Sequence, residues 1–275
     1  MEALIPIDRW EVFALGLDHP ECVAFNREGV LWAGGEAGQI YRVDENANVE
    51  KIADLGGFVG GLAFSPEDEL VVCCPNHGIV KVEKTGKWEV LASHVGDRKL
   101  ICPNYGVFDS AGNYYVTDSG NWKKQNGALI RFSAGGEGKV IGGPFGYANG
   151  LALSADENHL FMVESNTNRV FRFELKNGEI AAQDVYVENA GRLPDGLALD
   201  EAGNLYVSCY ASDDIHRVTP VREKKLFAWD PFAILLSRPT NMAFKGDTMY
   251  AANLGRQTVT RAKVGVMGQK LVNQR

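Results

Sequence analysis

The chain has 275 residues, 45% hydrophobic and 23% charged, and this composition excludes a disordered or collagen-like protein. The formal net charge of −7 argues against a nucleic-acid binder, which would carry a basic stripe along its phosphate-contacting face. No apolar run approaches the roughly 18 residues that span a bilayer, and the first residues lack the pattern of a signal peptide. Five cysteines without CxxC spacing fit a reducing compartment, so we expect a cytoplasmic protein without a membrane partner.

A repeated segment organises the chain. Each copy has a short apolar strand, a turn rich in Gly, Asp or Asn, and a second strand rich in aromatic and β-branched residues. The small apolar residue of the first strand marks each copy and recurs at intervals of 39, 44, 45, 46 and 45 residues. The six markers are Ala24, Ala63, Val107, Ala152, Ala198 and Ala243. A near-constant period of this length indicates the blades of a β-propeller.

Two further strands follow in each period, and the third strand alternates apolar and polar residues as half-buried strands do. Only five fourth strands lie between the six markers, whereas WEVFALG at 10–16 has the right character for the missing one. We therefore predict an all-β, six-bladed propeller with four antiparallel strands per blade, closed in the sixth blade by the N-terminal strand. The prediction treats 1–275 as one domain. A β-sandwich is the alternative, but it does not explain the sixfold recurrence.

Blade geometry places one residue of each copy at a mouth of the central channel, because the first strand of a blade lines that channel. These residues, three positions before each marker, are called the ring residues below. They are Glu21, Gly60, Asn104, Asn149, Asp195 and Thr240. Two carboxylates converging in a channel repel each other unless a cation or a proton compensates them. Oxygen ligands without His or Cys suit a hard divalent ion such as Ca²⁺, so Glu21, Asn149 and Asp195 are predicted to bind one metal ion. The alternative is that these residues only cap strands.

The ends of the second strands form another ring on the same face. Asp118 and Glu164 lie there in neighbouring blades, and we predict that they orient ligands or bind substrate hydroxyls. The alternative is that Asp118 caps a turn and Glu164 faces solvent. The longest loop on this face, 118–127, carries Trp122, which is predicted to shield or stack on a substrate.

Four strings along the chain resemble the SMP-30/gluconolactonase (regucalcin-like) family of six-bladed propellers. They are PNYGVFDSAGNYYVTDSG, ANGLALSADENHLFMVES, PDGLALDEAGNLYVSCY and RPTNMAFKGDTMYAANLG. The resemblance implies one divalent metal held by Glu21, Asn149 and Asp195, with Asn104 near metal and substrate. It also implies hydrolysis of a sugar lactone or a related small lactone or ester, with calcium as the usual metal and Zn²⁺, Mg²⁺, Mn²⁺ or Fe²⁺ as alternatives.

The implied chemistry agrees with the predicted site. A divalent cation polarises a lactone carbonyl for attack by water, and Asp195 would serve as metal ligand and as general base. Two positions depart from the animal sugar-lactonase pattern. Cys102 stands where those relatives carry an Arg, and Tyr105 stands where an acidic residue is common. We predict that Cys102 and Tyr105 contact a less polar lactone or ester.

A second function class stays open on the sequence. Propellers also serve as non-catalytic modules that bind a small ligand or a protein partner, and the fold does not choose between these classes. A strictosidine-synthase-type propeller would not need the Glu21, Asn149 and Asp195 combination. The concentration of oxygen donors at the channel mouth favours the metal-dependent hydrolase with a small-molecule partner. We expect a monomer or a weak homo-oligomer.

Overall fold

The structure of the protein, a computed structural model, describes residues 2–275, and its strands form six four-stranded antiparallel sheets. In five of the sheets the four strands follow one another in the chain and pair in sequence order. The sheets are the blades of a six-bladed propeller, so the fold predicted from the repeat is confirmed. The blades are numbered 1 to 6 in the chain order of their inner strands, which line the channel.

The strands of the first three blades match the predicted repeat. Blade 1 comprises β2 (Cys22–Phe25), β3 (Leu31–Gly34), β4 (Gln39–Val43) and β5 (Val49–Asp54); blade 2 comprises β6 (Gly61–Phe64), β7 (Leu70–Cys74), β8 (Gly78–Val82) and β9 (Trp88–Ala92). A short hairpin of β10 (His94–Val95) and β11 (Arg98–Lys99) follows. Blade 3 comprises β12 (Pro103–Phe108), β13 (Tyr114–Asp118), β14 (Gly127–Phe132) and β15 (Gly138–Phe145).

The second half continues the pattern with longer outer strands. Blade 4 comprises β16 (Ala148–Leu153), β17 (His159–Glu164), β18 (Arg169–Lys176) and β19 (Glu179–Val187); blade 5 comprises β20 (Pro194–Leu199), β21 (Leu205–Cys209), β22 (Asp214–Val218) and β23 (Lys224–Trp229). Blade 6 takes β24 (Pro239–Lys245), β25 (Thr248–Asn253) and β26 (Thr258–Lys263) from the C-terminal end.

The N-terminal strand β1 (Trp10–Leu15) completes blade 6, as predicted. It pairs antiparallel with β26, with Trp10 opposite Ala262 and Leu15 opposite Thr258. The two ends of the chain thereby share one sheet, and the ring of blades has no open edge between its first and last members.

Within residues 2–275 the helical structure consists of three 3₁₀ turns, at Ile7–Arg9, Ser165–Thr167 and Val272–Gln274. None of the described helices is long and apolar enough to cross a bilayer. The five cysteines are free thiols, and all except Cys102 are buried.

The small size of the marker residues is explained by the narrow channel. All six markers line one apolar cavity of about 80 Å³ at the end of the channel remote from the ring residues. Leu271 and Val272 of the C-terminal segment complete its lining. Hydrogen bonds from Gln269 to Leu199 and Leu153, and from Asn273 to Phe25, fasten this segment across the inner strands. The C-terminal segment therefore covers this end of the channel.

Closure of the ring predicts a large effect of the Trp10→Ala substitution. Trp10 is buried against Phe227, Met242 and other residues of blades 5 and 6, and truncating such a side chain to Ala costs about 3–5 kcal/mol of unfolding free energy. Val12→Ala on the same strand is the matched control, because Val12 is 44% exposed. It is expected to change stability by about 0.5 kcal/mol or less. Denaturant unfolding measures both, and equal losses would show that β1 does not hold blade 6 together as described.

Candidate functional site

The inner strands of blades 3–6 each contain a β-bulge at the ring residue. Along every one of these strands the chain advances three residues while its neighbour advances two. The bulged segments are Pro103–Gly106, Ala148–Leu151, Pro194–Leu197 and Pro239–Met242. A bulge bends its strand and redirects a side chain. The ring residues of these blades therefore do not follow the regular alternation of a strand.

Hydroxyl groups connect neighbouring blades at the segments that carry the ring residues, which are called ring segments below. In each case a hydroxyl in one blade donates a hydrogen bond to a carbonyl oxygen in the ring segment of the next blade. The pairs, in blade order, are Thr117 to Asn149, Ser165 to Pro194, Ser208 to Thr240 and Thr240 to Glu21. These bonds fix the spacing between ring segments from blade 3 around to blade 1.

Two glycines allow the ring segments to lie this close. A Cβ atom on Gly150 would stand 2.5 Å from the carbonyl oxygen of Asp195, and one on Gly196 would collide with the carbonyl oxygen of Thr240. In the pairs Asn149–Gly150 and Asp195–Gly196, the two residues therefore have different roles. Asn149 or Asp195 places an oxygen donor on the ring, and the following glycine leaves room for the next ring segment.

Four ring residues present buried oxygen atoms that no protein donor satisfies. These atoms are Glu21 Oε2, Asn104 Oδ1, Asn149 Oδ1 and Asp195 Oδ1. The parent side chains are at most 9% exposed. Asn149 donates its amide nitrogen to Ser165 Oγ at 3.1 Å, which leaves its carbonyl oxygen free. Unsatisfied buried oxygens cost free energy, so four of them on one ring indicate a ligand with positive charge or hydrogen-bond donors.

The two carboxyl groups of the ring disfavour each other's ionisation. Burial raises the pKa of Glu21 well above its ordinary value, and the nearby Asp195 carboxylate raises it further. Burial also raises the pKa of Asp195, to about 7, against a smaller lowering by a hydrogen bond with Asn149. Desolvation and like charge both favour the neutral acids when no cation is present.

This donor set fits a hard divalent cation. Two carboxylates and two amide oxygens are the ligand types that Ca²⁺ and Mg²⁺ accept, and the ring provides no sulfur or imidazole. Glu21, Asn149 and Asp195 are the predicted ligands. The ring brings Asn104 together with them as a fourth oxygen donor.

Cys102, Tyr147 and Trp122 form a wall beside the ring. The Cys102 thiol lies beside the Tyr147 hydroxyl, and the Tyr147 ring meets Trp122 edge to face with ring centroids 4.8 Å apart. Burial raises the pKa of Cys102 to about 11, so this thiol is neutral at physiological pH. Burial raises the pKa of Tyr147, and the negative charges of Asp195 and Glu21 raise it further. Trp122 remains 48% exposed and is available for contact with a ligand.

Asp118 and Glu164 hold the loops that precede the inner strands. Asp118 accepts backbone N–H groups of Ile101 and Cys102 and forms an ion pair with Arg98 at 2.8 Å. Glu164 accepts the backbone N–H of Gly146 at 2.6 Å and is 4% exposed, so it does not face solvent. Both acids thus act on the wall through Cys102 and the segment next to Tyr147. Their predicted direct contact with substrate hydroxyls stays a prediction.

Tyr105 is not brought to this wall. Its ring packs in an apolar cluster with Leu129 and Leu151 and lines the inner cavity, because the residue after a ring residue points towards a different neighbour at the bulge. Its predicted contact with substrate stays untested. Sequence reasoning did not identify Ser165 and Ser208 as residues that position the ring, since a buried serine at or just after the end of a second strand has no distinctive sequence pattern.

The pKa shifts predict a pH-dependent stability for the metal-free protein. The folded state of Asp195 keeps its proton up to about pH 7, whereas the ordinary pKa is 3.8. The free energy of unfolding should therefore fall as the pH rises through this interval, because the unfolded state ionises first. Urea unfolding of chelator-treated protein across this pH range measures the slope.

The Asp195→Asn variant should show a shallower slope, and Glu201→Gln is the control because Glu201 is an exposed carboxylate of the same blade. An unchanged slope in Asp195→Asn would contradict the assignment of the buried charge.

Comparison with known proteins shows which family the chain resembles in sequence and in fold. Residues 19–252 match the model of the SMP-30/Gluconolactonase/LRE-like region. Human regucalcin is 27% identical over 248 residues, which cover 86% of this chain and 76% of regucalcin. A gluconolactonase of Xanthomonas campestris superimposes with a TM-score of 0.81 at 16% identity, covering 94% of this chain and 89% of its own.

The regucalcin of Agrobacterium tumefaciens, described as a calcium-binding protein, superimposes with a TM-score of 0.79 at 15% identity. The alignment covers 98% of this chain and 97% of that one. The structural matches agree with the propeller fold, and the family match covers most of the chain. With its bulged inner strands and its ring of oxygen donors, the chain belongs to the SMP-30/gluconolactonase family.

Proposed function

We propose that the protein is a divalent-metal-dependent hydrolase that opens a small lactone or related ester. The observation that carries the proposal is the set of four buried, unpartnered oxygens on the ring, two of them from carboxyl groups. The two buried carboxylates need a compensating positive charge, and the two amide oxygens need a cation or hydrogen-bond donors. Family membership and the gluconolactonase neighbour supply the reaction class.

Glu21, Asn149 and Asp195 would hold the cation, with Asn104 beside it. Ca²⁺ is the first choice because all the donors are oxygens, and Mg²⁺, Mn²⁺, Zn²⁺ and Fe²⁺ are the alternatives. When bound, a divalent cation supplies the Lewis acidity that polarises a lactone carbonyl. The named calcium-binding regucalcin has the same fold, which supports this order of preference.

Asp195 is the proposed proton acceptor for the attacking water. It is the carboxylate at the start of β20, where the bulge and the hydrogen bond from the Gly196 N–H to Ser208 Oγ hold the backbone in place. A carboxylate positioned within reach of a water can take its proton as the carbonyl is attacked. The side-chain amide of Asn104 lies on the ring, and we propose that it forms a hydrogen bond with the substrate or with the attacking water.

The wall supports a less polar substrate than an unmodified sugar lactone. Cys102, Tyr147 and Trp122 offer two aromatic faces and a neutral thiol beside the ring. A guanidinium at position 102 would provide two parallel donors for sugar hydroxyls, and the thiol provides none of comparable strength. We propose that the substrate carries an apolar or aromatic substituent against this wall.

Replacement of the proposed base tests the reaction. Asp195→Asn should lower kcat for lactone hydrolysis by about 10²-fold or more, because it removes the proton acceptor and one negative ligand. Glu201→Gln, a loss of one exposed carboxylate in the same blade, should leave kcat unchanged. Proton-release assays over sugar, aliphatic and aromatic lactones, with each metal restored in turn, measure both variants. Full turnover by Asp195→Asn would rule out its role.

Metal removal tests the proposal independently of substrate. A ligand that binds only the folded state raises its stability, so EDTA should lower the melting temperature and Ca²⁺ should restore it. In Glu21→Gln the effect of EDTA should shrink, since one carboxylate of the ring is lost. Protein that contains no metal by elemental analysis and does not respond to EDTA would favour the non-catalytic propeller instead. The cytoplasmic location and the monomeric or weakly associated state stay predictions.

A further inference from the structure

A second group of metal-ligating side chains lies in blade 5, on the hairpin of β21 and β22. The register pairs Cys209 with Asp214 and Val207 with His216. Directly paired residues and residues two positions apart share one face of a sheet. Cys209, Asp214 and His216 therefore project from the same face of the hairpin.

The ligand atoms of these three side chains converge. Within residues 2–275 they form the one group of three or more His, Cys, Asp or Glu residues whose ligand atoms all lie within 4.8 Å of one another. His216 Nε2 and Asp214 Oδ1 are 3.3 Å apart. Two ligands of a tetrahedral zinc ion, each bound at 2.0–2.3 Å, are separated by about 3.4 Å. The imidazole and the carboxylate already have the spacing of one edge of such a site.

The protein leaves polar atoms of this group without partners. Asp214 Oδ1 and His216 Nδ1 are buried and form no hydrogen bond. The 3.3 Å contact joins Asp214 Oδ1 to the other ring nitrogen of His216, Nε2. Cys209 is fully buried, and the nearest acceptor for its sulfur outside its own strand is the Ala190 carbonyl oxygen at 3.8 Å. An unsatisfied carboxylate oxygen beside the imidazole Nε2 and a buried thiol indicates a group that a cation would satisfy.

The equivalent position in blades 3, 4 and 6 has a different role. Asp118, Glu164 and Asn253 also end second strands, and each accepts a backbone N–H from the loop before its own inner strand. Cys209 cannot replace them, because a thiol is a weak acceptor. It instead faces Asp214 and His216, and Gly191 has no side chain where the Cys209 sulfur lies. Blade 5 thus departs from the shared loop-holding arrangement at the position where the cysteine is found.

We propose that Cys209, Asp214 and His216 bind a Zn²⁺-type cation at a site separate from the ring. Thiolate and imidazole select zinc over calcium and magnesium, and a carboxylate completes three protein ligands. On binding, the Cys209 thiol releases its proton to solvent and its sulfur bonds the metal. The side chains of Asp214 and His216 are 13% and 15% exposed, so water has access to a fourth position. The site lies next to the loop that leads to Asp195, since the Cys209 sulfur is 3.8 Å from the Ala190 carbonyl oxygen.

Cobalt spectroscopy tests the site on the full-length protein without any lactone. Added to reduced, chelator-treated protein, Co²⁺ should produce a thiolate-to-cobalt charge-transfer band in the near ultraviolet together with intense tetrahedral bands in the visible. Zn²⁺ should abolish these bands at one equivalent, whereas Ca²⁺ should not. The ring contains only oxygen donors, so its own occupation by Co²⁺ gives no thiolate band.

Variants assign the band to these residues. Cys209→Ser should eliminate it, and Asp214→Asn and His216→Gln should weaken cobalt binding at least tenfold, with circular dichroism to confirm that each variant is folded. Cys102→Ser and Glu21→Gln are controls that should keep the band, the first because another partly buried thiol is removed and the second because the ring is altered. No band in the wild type, or a band that survives in Cys209→Ser, would overturn the proposal. Lactone turnover is measured separately, so failure of the zinc site and failure of the proposed hydrolase are distinguishable.

Discussion

The close approach of the inner strands at the channel mouth is the constraint on which the site depends. Gly150 and Gly196 permit carbonyl oxygens of the next blade to come within a distance that any Cβ would prohibit. Hydroxyls of Ser165 and Thr240 then bond across the blades and keep that spacing. Because these contacts do not use the carboxyl and amide oxygens of Glu21, Asn149 and Asp195, the ring residues are held together whether or not those groups attract one another.

Holding the ring residues in place forces two acids into one buried space. Glu21 and Asp195 come from strands separated by most of the chain, and neither has a cationic side chain among the causes of its pKa shift. Folding without a cation is therefore opposed by desolvation and by like-charge repulsion. The same arrangement gives a divalent cation a pre-organised set of ligands. The pKa shifts of both acids and the proposed metal binding are consequences of one placement of charge.

The blades differ from one another in residue type at the ends of their second strands, which do not line the channel. The inner strands keep small apolar residues at the markers, because the channel admits nothing larger. At the ends of the second strands, Asp118, Glu164 and Asn253 position loops through backbone N–H groups, while blade 5 carries Cys209 beside a carboxylate and an imidazole. A position that is free of channel packing can change its chemistry without loss of the fold. Cys102 and Trp122, which we propose contact the substrate, lie on the loops at this same face.

The sequence by itself determined the propeller, the closure by β1 and the identity of the ring residues. The reason is that a repeat of constant period fixes which residue of each blade reaches the channel, and period-two alternation fixes which face is buried. Only the tertiary structure decided how the side chains around the ring are used. Asp118 and Glu164 hold loops, Tyr105 turns into the apolar cluster, and Tyr147 joins Trp122, because bulges and contacts between blades depend on residues far apart in the chain.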